Sequence, residues 1–513
     1  MRRVASLLLV AALVSLLGGC ASLPSLDGRI ATTAPTDTRV TRLGRALAEA
    51  VSAHPGKSGI HALPDPRDAF AARVLLARSA ERTIDAQYYI WHADDVGYLL
   101  FEALSQAADR GVRVRLLLDD LNTRGLDPTI AALDAHPNIE VRLYNPLAQR
   151  AVRLLNFVTD FQRVNRRMHN KSFTVDNQVT IVGGRNIGNE YFAAGSGVAF
   201  TDLDVTAVGH VVNDVSTEFD RYWNGPSAYP ASAFVSGAGN GQELQARFEA
   251  THADAGARAY LEALRATPLV ADLLEHKLDF EWTHASLLYD DPAKTLDAAA
   301  GSDALLFPQL VRSMGRPKRT LDMVSPYFVP GNTGTQALVG MAQEGVQVRI
   351  LTNSLASTDV SAVHAGYAKR RHVLLRAGLT LHELKPTRAG ENTESASGVG
   401  STGAAALHAK TFAVDGARIF VGSFNLDARS AKLNTEMGLV IESPVLAKRL
   451  AAAFDDVVPK IAYEVRLQAD GHSLEWIERS AAGEKRYDSE PGTSPATRSK
   501  IELLSILPIE WLL

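Results

Sequence analysis

Residues 169–186 read HNKSFTVDNQVTIVGGRN, and residues 408–425 read HAKTFAVDGARIFVGSFN. Each stretch carries histidine, then lysine, aspartate and a closing asparagine: His169, Lys171, Asp176 and Asn186, then His408, Lys410, Asp415 and Asn425. The two histidines lie 408 − 169 = 239 residues apart, and the other three residues keep that offset without a slip. In KSFTVD and KTFAVD the residues alternate in polarity, so histidine and lysine, two positions apart, share one strand face. A site built from two such faces holds two imidazoles, two ammonium groups and two carboxamides. One imidazole can act as nucleophile while the other serves as general acid and base. Lysine and asparagine donate to the non-bridging oxygens of a phosphoryl group and stabilise its transition state. This chemistry calls for no metal and no other cofactor, because the lysines supply the positive charge and would repel a cation.

The elements around the two stretches repeat as well. TIDAQYYIW (83–91) reads as a strand, GYLLFEALSQAADRG (97–111) as a helix ending at glycine, and VRVRLLLDD (112–120) as a strand. The later chain gives the same order in TLDMVSPYF (320–328), GTQALVGMAQEG (334–345) and VQVRILTNS (346–354). Strand, crossover helix and strand predict a mostly parallel or mixed sheet flanked by helices in each half. A pseudo-two-fold between two such α/β halves sets the motifs face to face.

At 513 residues the chain has room for two or three globular units, and 46% hydrophobic with 21% charged residues is a folded composition. A net charge of −4 gives no general attraction for nucleic acid, although RVNRRMHNK (163–171) runs basic into the first motif. The start, MRRVASLLLVAALVSLLGGC, has two arginines, an apolar run and small residues before Cys20, as a secretory signal does. LGGC also resembles a bacterial lipobox, which predicts lipidation of Cys20 and a membrane surface as partner. Cys20 is the only cysteine, so no internal disulfide forms. The domain reading is a signal peptide at 1–19, lipidated cysteine and tether at 20–60, and a first half at 61–228. A connecting segment at 229–300 and a second half at 301–513 complete it. RAVRLLNFVTDF (150–161), just before the first motif, reads either as a lipid-facing segment or as a buried helix. The Gly/Ser-rich 391–406 reads as a loop, and the apolar C-terminus as a segment packed on the second half.

The two stretches resemble the signature of the phospholipase D superfamily, HxKx4Dx6GSxN in two copies. The match runs through His169, Lys171, Asp176, Gly183, Gly184 and Asn186, then His408, Lys410, Asp415, Gly422, Ser423 and Asn425. Gly184 stands where the pattern has serine, which removes one hydroxyl donor. The resemblance implies a duplicated fold with one shared active site and a phosphohistidine intermediate. It implies His169 as nucleophile and His408 as acid and base, each ring fixed by a downstream carboxylate. Asp204 in FTDLDVTAVG and Glu436 in KLNTEMGLVI are the expected partners, while Asp176 and Asp415 are expected to brace their strands.

DAQYYIWHADDVG, TDFQRVNRRMHNKSFTVD, VGGRNIGNEYF, SPYFVPG and NSLASTDVSAVHAGYAKRR are similar to bacterial cardiolipin synthases, particularly the C-type branch. That similarity implies phosphatidyl transfer onto phosphatidylglycerol, with phosphatidylglycerol or phosphatidylethanolamine as donor. A lipid anchor replaces the family's usual transmembrane helices, and the expected location is the cell envelope, facing the periplasm. Hydrolysis to phosphatidic acid and metal-independent nuclease activity use the same residues and stay open, with no nucleic acid expected as partner. Accessory proteins are not specified by the sequence.

Overall fold

Two sheets carry the repeated residues. In the computed structural model, residues 23–194, 199–235, 240–267, 269, 272, 278–296, 301–386, 405–507 and 510–513 are described. Cys20, the signal segment before it and most of the 391–406 loop lie outside the described residues.

Among the described residues the first sheet has nine strands and the second ten. At the centre of the first, Thr83–Ile90, Arg113–Asn122 and Ile139–Tyr144 run parallel. At the centre of the second, Thr320–Val324, Gln347–Asn353 and Thr380–Leu384 do the same. Their residues are mostly buried because helices cover them, as the apolar run VRLLL requires. The motif strands join antiparallel: Ser172–Val175 beside Thr83–Ile90, and Lys410–Val414 beside Thr320–Val324. Each sheet is therefore mixed, with only the central three strands parallel, as the mostly parallel or mixed α/β reading allows. The cause lies in the motif itself, which folds back as a tight hairpin. Ser172–Val175 pairs with Val179–Gly183, and Lys410–Val414 with Arg418–Gly422. The turn residues Asp176, Asn177, Asp415 and Gly416 all have positive φ, between 49° and 63°. Two successive left-handed residues make the turn that matches strand twist, and Asp-Asn and Asp-Gly adopt it readily.

The eight strands from Ser58–Leu63 to Ala228–Pro230 in the first sheet correspond in order to the eight from Ala285–Tyr289 to Ala462–Leu467 in the second. Asp204–Gly209 lies beside the first hairpin with Gly183 opposite Asp204, and Met437–Ile441 beside the second with Gly422 opposite Gly438. One apolar cluster belongs to both halves, including Ile60, Val182, Val205 and Val215 with Ile419, Val421, Met437 and Leu439. This shared core joins the hairpin edges of the two sheets and brings the motif ends together.

The ends of the halves differ from the expected boundaries. Ser58–Leu63 is a strand of the first sheet, so a boundary at 60 cuts an element. Residues 23–41 dock on the first half: Arg29 donates to the carbonyls of Asn224, Gly225 and Ala228 at 2.6–2.7 Å. Those carbonyls follow directly on the C-terminal end of the helix His210–Trp223. The 229–300 connector gives Glu281–Thr283 to the first sheet and Ala285–Tyr289 to the second. Ile501 of the helix Pro495–Ile506 is buried, so the C-terminal segment packs on the second half. Among the described residues no helix is long and apolar enough to cross a membrane.

Candidate active site

His169 and His408 each sit just ahead of a motif strand, where the chain crosses to the other half. The His169 amide donates to the Thr435 carbonyl at 2.8 Å, and the Thr435 amide returns a bond to the Arg167 carbonyl at 2.9 Å. On the other side Ala405–Leu407 pairs with Ala199–Thr201, and the His408 amide donates to the Thr201 carbonyl at 2.9 Å. Each histidine is thus laid against the residue that precedes a carboxylate of the opposite half. His169 Nδ1 meets Glu436 Oε2 at 2.8 Å, and His408 Nδ1 meets Asp202 Oδ2 at 2.6 Å. A carboxylate on Nδ1 holds the proton there and turns the lone pair to Nε2. For neither motif histidine does the carboxylate come from its own half.

Asp202, and not Asp204, orients His408. Strand register explains the difference: Asp204 is opposite Gly183 as Gly438 is opposite Gly422, so the residue equivalent to Glu436 lies two before Asp204. Asp204 instead receives Arg73 Nη2 at 2.9 Å, with Arg185 at 3.4 Å. The signal available in the sequence was the pair Thr201-Asp202 repeated as Thr435-Glu436.

The two pairs are not identical. Ser423 donates its hydroxyl to the same Glu436 oxygen that His169 contacts. At the equivalent Gly184, a Cβ would lie 2.2 Å from Asp202 Oδ1. The missing serine is therefore a matter of space: the shorter carboxylate of Asp202 fills it. Glu436 is further fixed by Asp290, which accepts from the Glu436 amide and from Lys294 Nζ, each at 2.9 Å.

Lys171 and Lys410 are buried, and each donates through Nζ to the carbonyl of its own motif histidine. Asn186 accepts from the Ile90 amide and donates to the Tyr191 hydroxyl at 3.0 Å. Buried Asn425 keeps its side-chain oxygen without a hydrogen-bond partner. Aromatic rings line both histidines, Tyr89 edge-on to His169, with Tyr191 edge-on and Phe200 stacked on His408. These aromatic walls lay beyond the motif and escaped sequence reading. Asp176 and Asp415 stay off the histidines. Each accepts from three successive amides, Glu81 to Thr83 for the first and Lys318 to Thr320 for the second.

Burial dominates the electrostatics. It lowers His169 well below the usual histidine range, helped by the charges of Lys171, Lys410 and His408. It lowers His408 to about 4, with Lys410 adding to the effect and Asp202 opposing it. Burial also lowers Lys171 to about 7 and Lys410 to about 8, against the pull of Glu436 and Asp202. The carboxylates diverge. Burial raises Glu436 to about 7, whereas His408, Lys410 and Arg185 overcome burial to hold Asp202 at about 2. A site with neutral imidazoles and reluctant ammonium groups is short of negative charge, and a phosphodiester supplies it.

His92, Asp94 and Glu190 form a cluster with metal-ligand chemistry among the described residues, their donor atoms within 4.8 Å of one another. Asp94 already accepts from the Gly97 and Asn189 amides, and Glu190 pairs with His92 at 3.1 Å. These contacts account for the cluster without a ligand.

A protein family described as cardiolipin synthase, PLD-like domain, matches residues 75–223 and 310–458. The chain is 49% identical to cardiolipin synthase C of Escherichia coli K12 over 92% of its length and 100% of that protein. It is 25% identical to the major cardiolipin synthase of Bacillus subtilis strain 168, over 80% of this chain and 72% of that one. Among solved structures, phosphatidylserine synthase of Haemophilus influenzae aligns with a TM-score of 0.56 at 13% identity. The alignment covers 91% of this chain and 99% of that one, and shows a common fold.

Proposed function

The chain belongs to the PLD-like cardiolipin synthase family of phosphatidyltransferases, and we propose that it makes cardiolipin at a membrane surface by phosphatidyl transfer onto phosphatidylglycerol. The observation that carries this reading is the crossed pairing of His169 with Glu436 and His408 with Asp202. His169 Nε2 attacks the donor phosphorus and the bond to the head-group alcohol breaks. His408, which takes up a proton at Nε2 when the phosphodiester anion enters beside it, gives that proton to the leaving alcohol. The acceptor hydroxyl of phosphatidylglycerol then returns a proton to His408 and attacks phosphorus, and the phosphorus–nitrogen bond breaks. Roles follow from the asymmetry of the carboxylates. Asp202, firmly ionised, stabilises the imidazolium that an acid and base must form, while His169 beside the less acidic Glu436 stays neutral and nucleophilic. Lys171, Lys410, Asn186 and Asn425 donate to the phosphoryl oxygens.

Lipidation at Cys20 and an envelope location facing the periplasm rest on the LGGC sequence and the apolar run before it. Incorporation of labelled fatty acid, lost in Cys20→Ala, tests that part. Turnover by the whole protein in mixed vesicles with EDTA present tests the reaction. Cardiolipin with released glycerol names phosphatidylglycerol as donor, and released ethanolamine names phosphatidylethanolamine. Phosphatidic acid as sole product makes the enzyme a hydrolase and overturns the transferase reading.

A further inference from the structure

Residues 152–161 have inverted polarity. This loop, with short helical turns at Arg153–Leu155 and Asn156–Thr159, buries its polar Asn156 and turns its aliphatic residues outward. Leu154 is 79% and Val158 81% exposed, and Val152 and Phe161 are exposed beside them. A helical turn facing water places its apolar side inward. A contiguous apolar patch facing outward marks a contact with something other than water.

The loop is held in this form. Asn156 accepts from the Gln149 amide and donates to the carbonyls of Gln149 and Arg153, all at 2.9 Å. Arg150 pairs with Asp120 and Asp127, and Arg153 reaches Asp127 at 3.4 Å. Asn156 is buried with its amide satisfied, so the outward aliphatics are not a failed core. The fold builds a platform and presents them.

Position identifies the occupant. Between residues 150 and 167, Arg150, Arg153, Arg163 and Arg167 are each paired with a carboxylate, so they brace the loop under its apolar tip. The loop leads directly into the site: Asn165 is bound by Arg429 at 2.6 Å, and the Arg167 carbonyl anchors Thr435, which in turn fixes His169. An apolar tip that leads into a site for phosphatidylglycerol matches the interface of a bilayer containing that anionic lipid.

We propose that residues 152–161 insert into the surface of an anionic bilayer and seat the His169 side of the active site over it. The inference deepens the lipid-transfer reading and rests on it for the identity of the substrate. Its test uses the full-length chain with Cys20→Ser, labelled with an environment-sensitive fluorophore at Leu154→Cys or, as control, at exposed Lys485→Cys. On vesicles of phosphatidylglycerol and phosphatidylcholine, the label at 154 shifts to the blue and is quenched by nitroxide-bearing lipids, while the label at 485 does neither. A label at 154 as wet as that at 485 overturns the proposal. So does a blue shift that needs no vesicles and grows with protein concentration, which would assign the patch to a second copy of the chain. Activity separates the two readings. The double variant Leu154→Asp, Val158→Asp loses about tenfold or more of its turnover on vesicles and keeps its turnover of short-chain phosphatidylglycerol below its micelle concentration. If the parent fails on the short-chain lipid, the transfer reading falls, and the fluorescence result still decides the docking face.

Discussion

Asp202 and Asp204 lie two positions apart in one approach to a strand and have different work. Asp202 holds the His408 ring; Asp204 neutralises Arg73 inside the first half. Asp202→Asn leaves a side chain of the same size but no charge to fix the tautomer or stabilise the imidazolium. Turnover is expected to fall about 10²–10⁴-fold, with a loss of stability smaller than that from removing the counter-charge of Arg73. Asp204→Asn leaves Arg73 buried without its counter-charge and is expected to cost about 3–5 kcal/mol of stability. The pair of measurements, turnover and urea unfolding, separates them; equal loss of stability in both variants would refute the assignment of Asp202. The repeated His, Lys, Asp and Asn could be read directly from the sequence because the chemistry fixes their spacing within one hairpin. Of the two carboxylates, Glu436 was named through the family resemblance and does hold His169, whereas Asp202 was missed, because only strand register says which of the buried acids Asp202 and Asp204 is the equivalent of Glu436.

At the scale of the element, the motif aspartates show how one residue positions a catalytic strand without touching substrate. Asp176 and Asp415 begin left-handed turns and gather the amides that open the adjacent central strand. The hairpin and the parallel sheet are thereby locked in register, which sets where His169 and His408 lie. Asp176→Asn keeps one acceptor oxygen and loses the charge that strengthens three bonds, so a cost of about 1–3 kcal/mol is expected. Asp415 is partly exposed, and Asp415→Asn is expected to cost less. Both variants should keep near-parent turnover at a temperature where they remain folded, measured alongside thermal unfolding. Loss of turnover in a fully folded Asp176→Asn would bring that residue into the chemistry. The βαβ order was legible because parallel strands covered on both faces leave long apolar runs. The strands added by the 229–300 connector are short and only partly buried, so alternation did not reveal them.

For the whole molecule, bringing the two halves together sets a pH dependence that neither half has alone. Lys171 and Lys410 are lowered first by burial, and Lys410 acts on Lys171 across the interface. Phosphoryl contacts need both ammonium groups, so kcat/KM is expected to fall as pH rises through about 7 and 8. Stability should move the other way. A lysine whose folded pKa lies below its unfolded value of 10.5 binds fewer protons when folded, so stability grows as pH rises between the two values and is lost as pH falls through the lower one. The upper bound is about 1.4 kcal/mol per lysine for each pH unit inside that window. Raised carboxyls such as Glu436 and Asp290 work in the opposite sense, but between the usual carboxyl range and about 7, and Glu218 finishes its part near 8. Buried tyrosines oppose it only above their usual 10. Between pH 8 and 10, therefore, activity should decline while the urea midpoint climbs, a divergence that global unfolding cannot produce. Lys171→Met supplies the decisive comparison: it should flatten the climb in stability, since the buried ammonium is gone. A climb of undiminished slope in that variant would place its origin elsewhere and remove the lysines as the source of the alkaline limb.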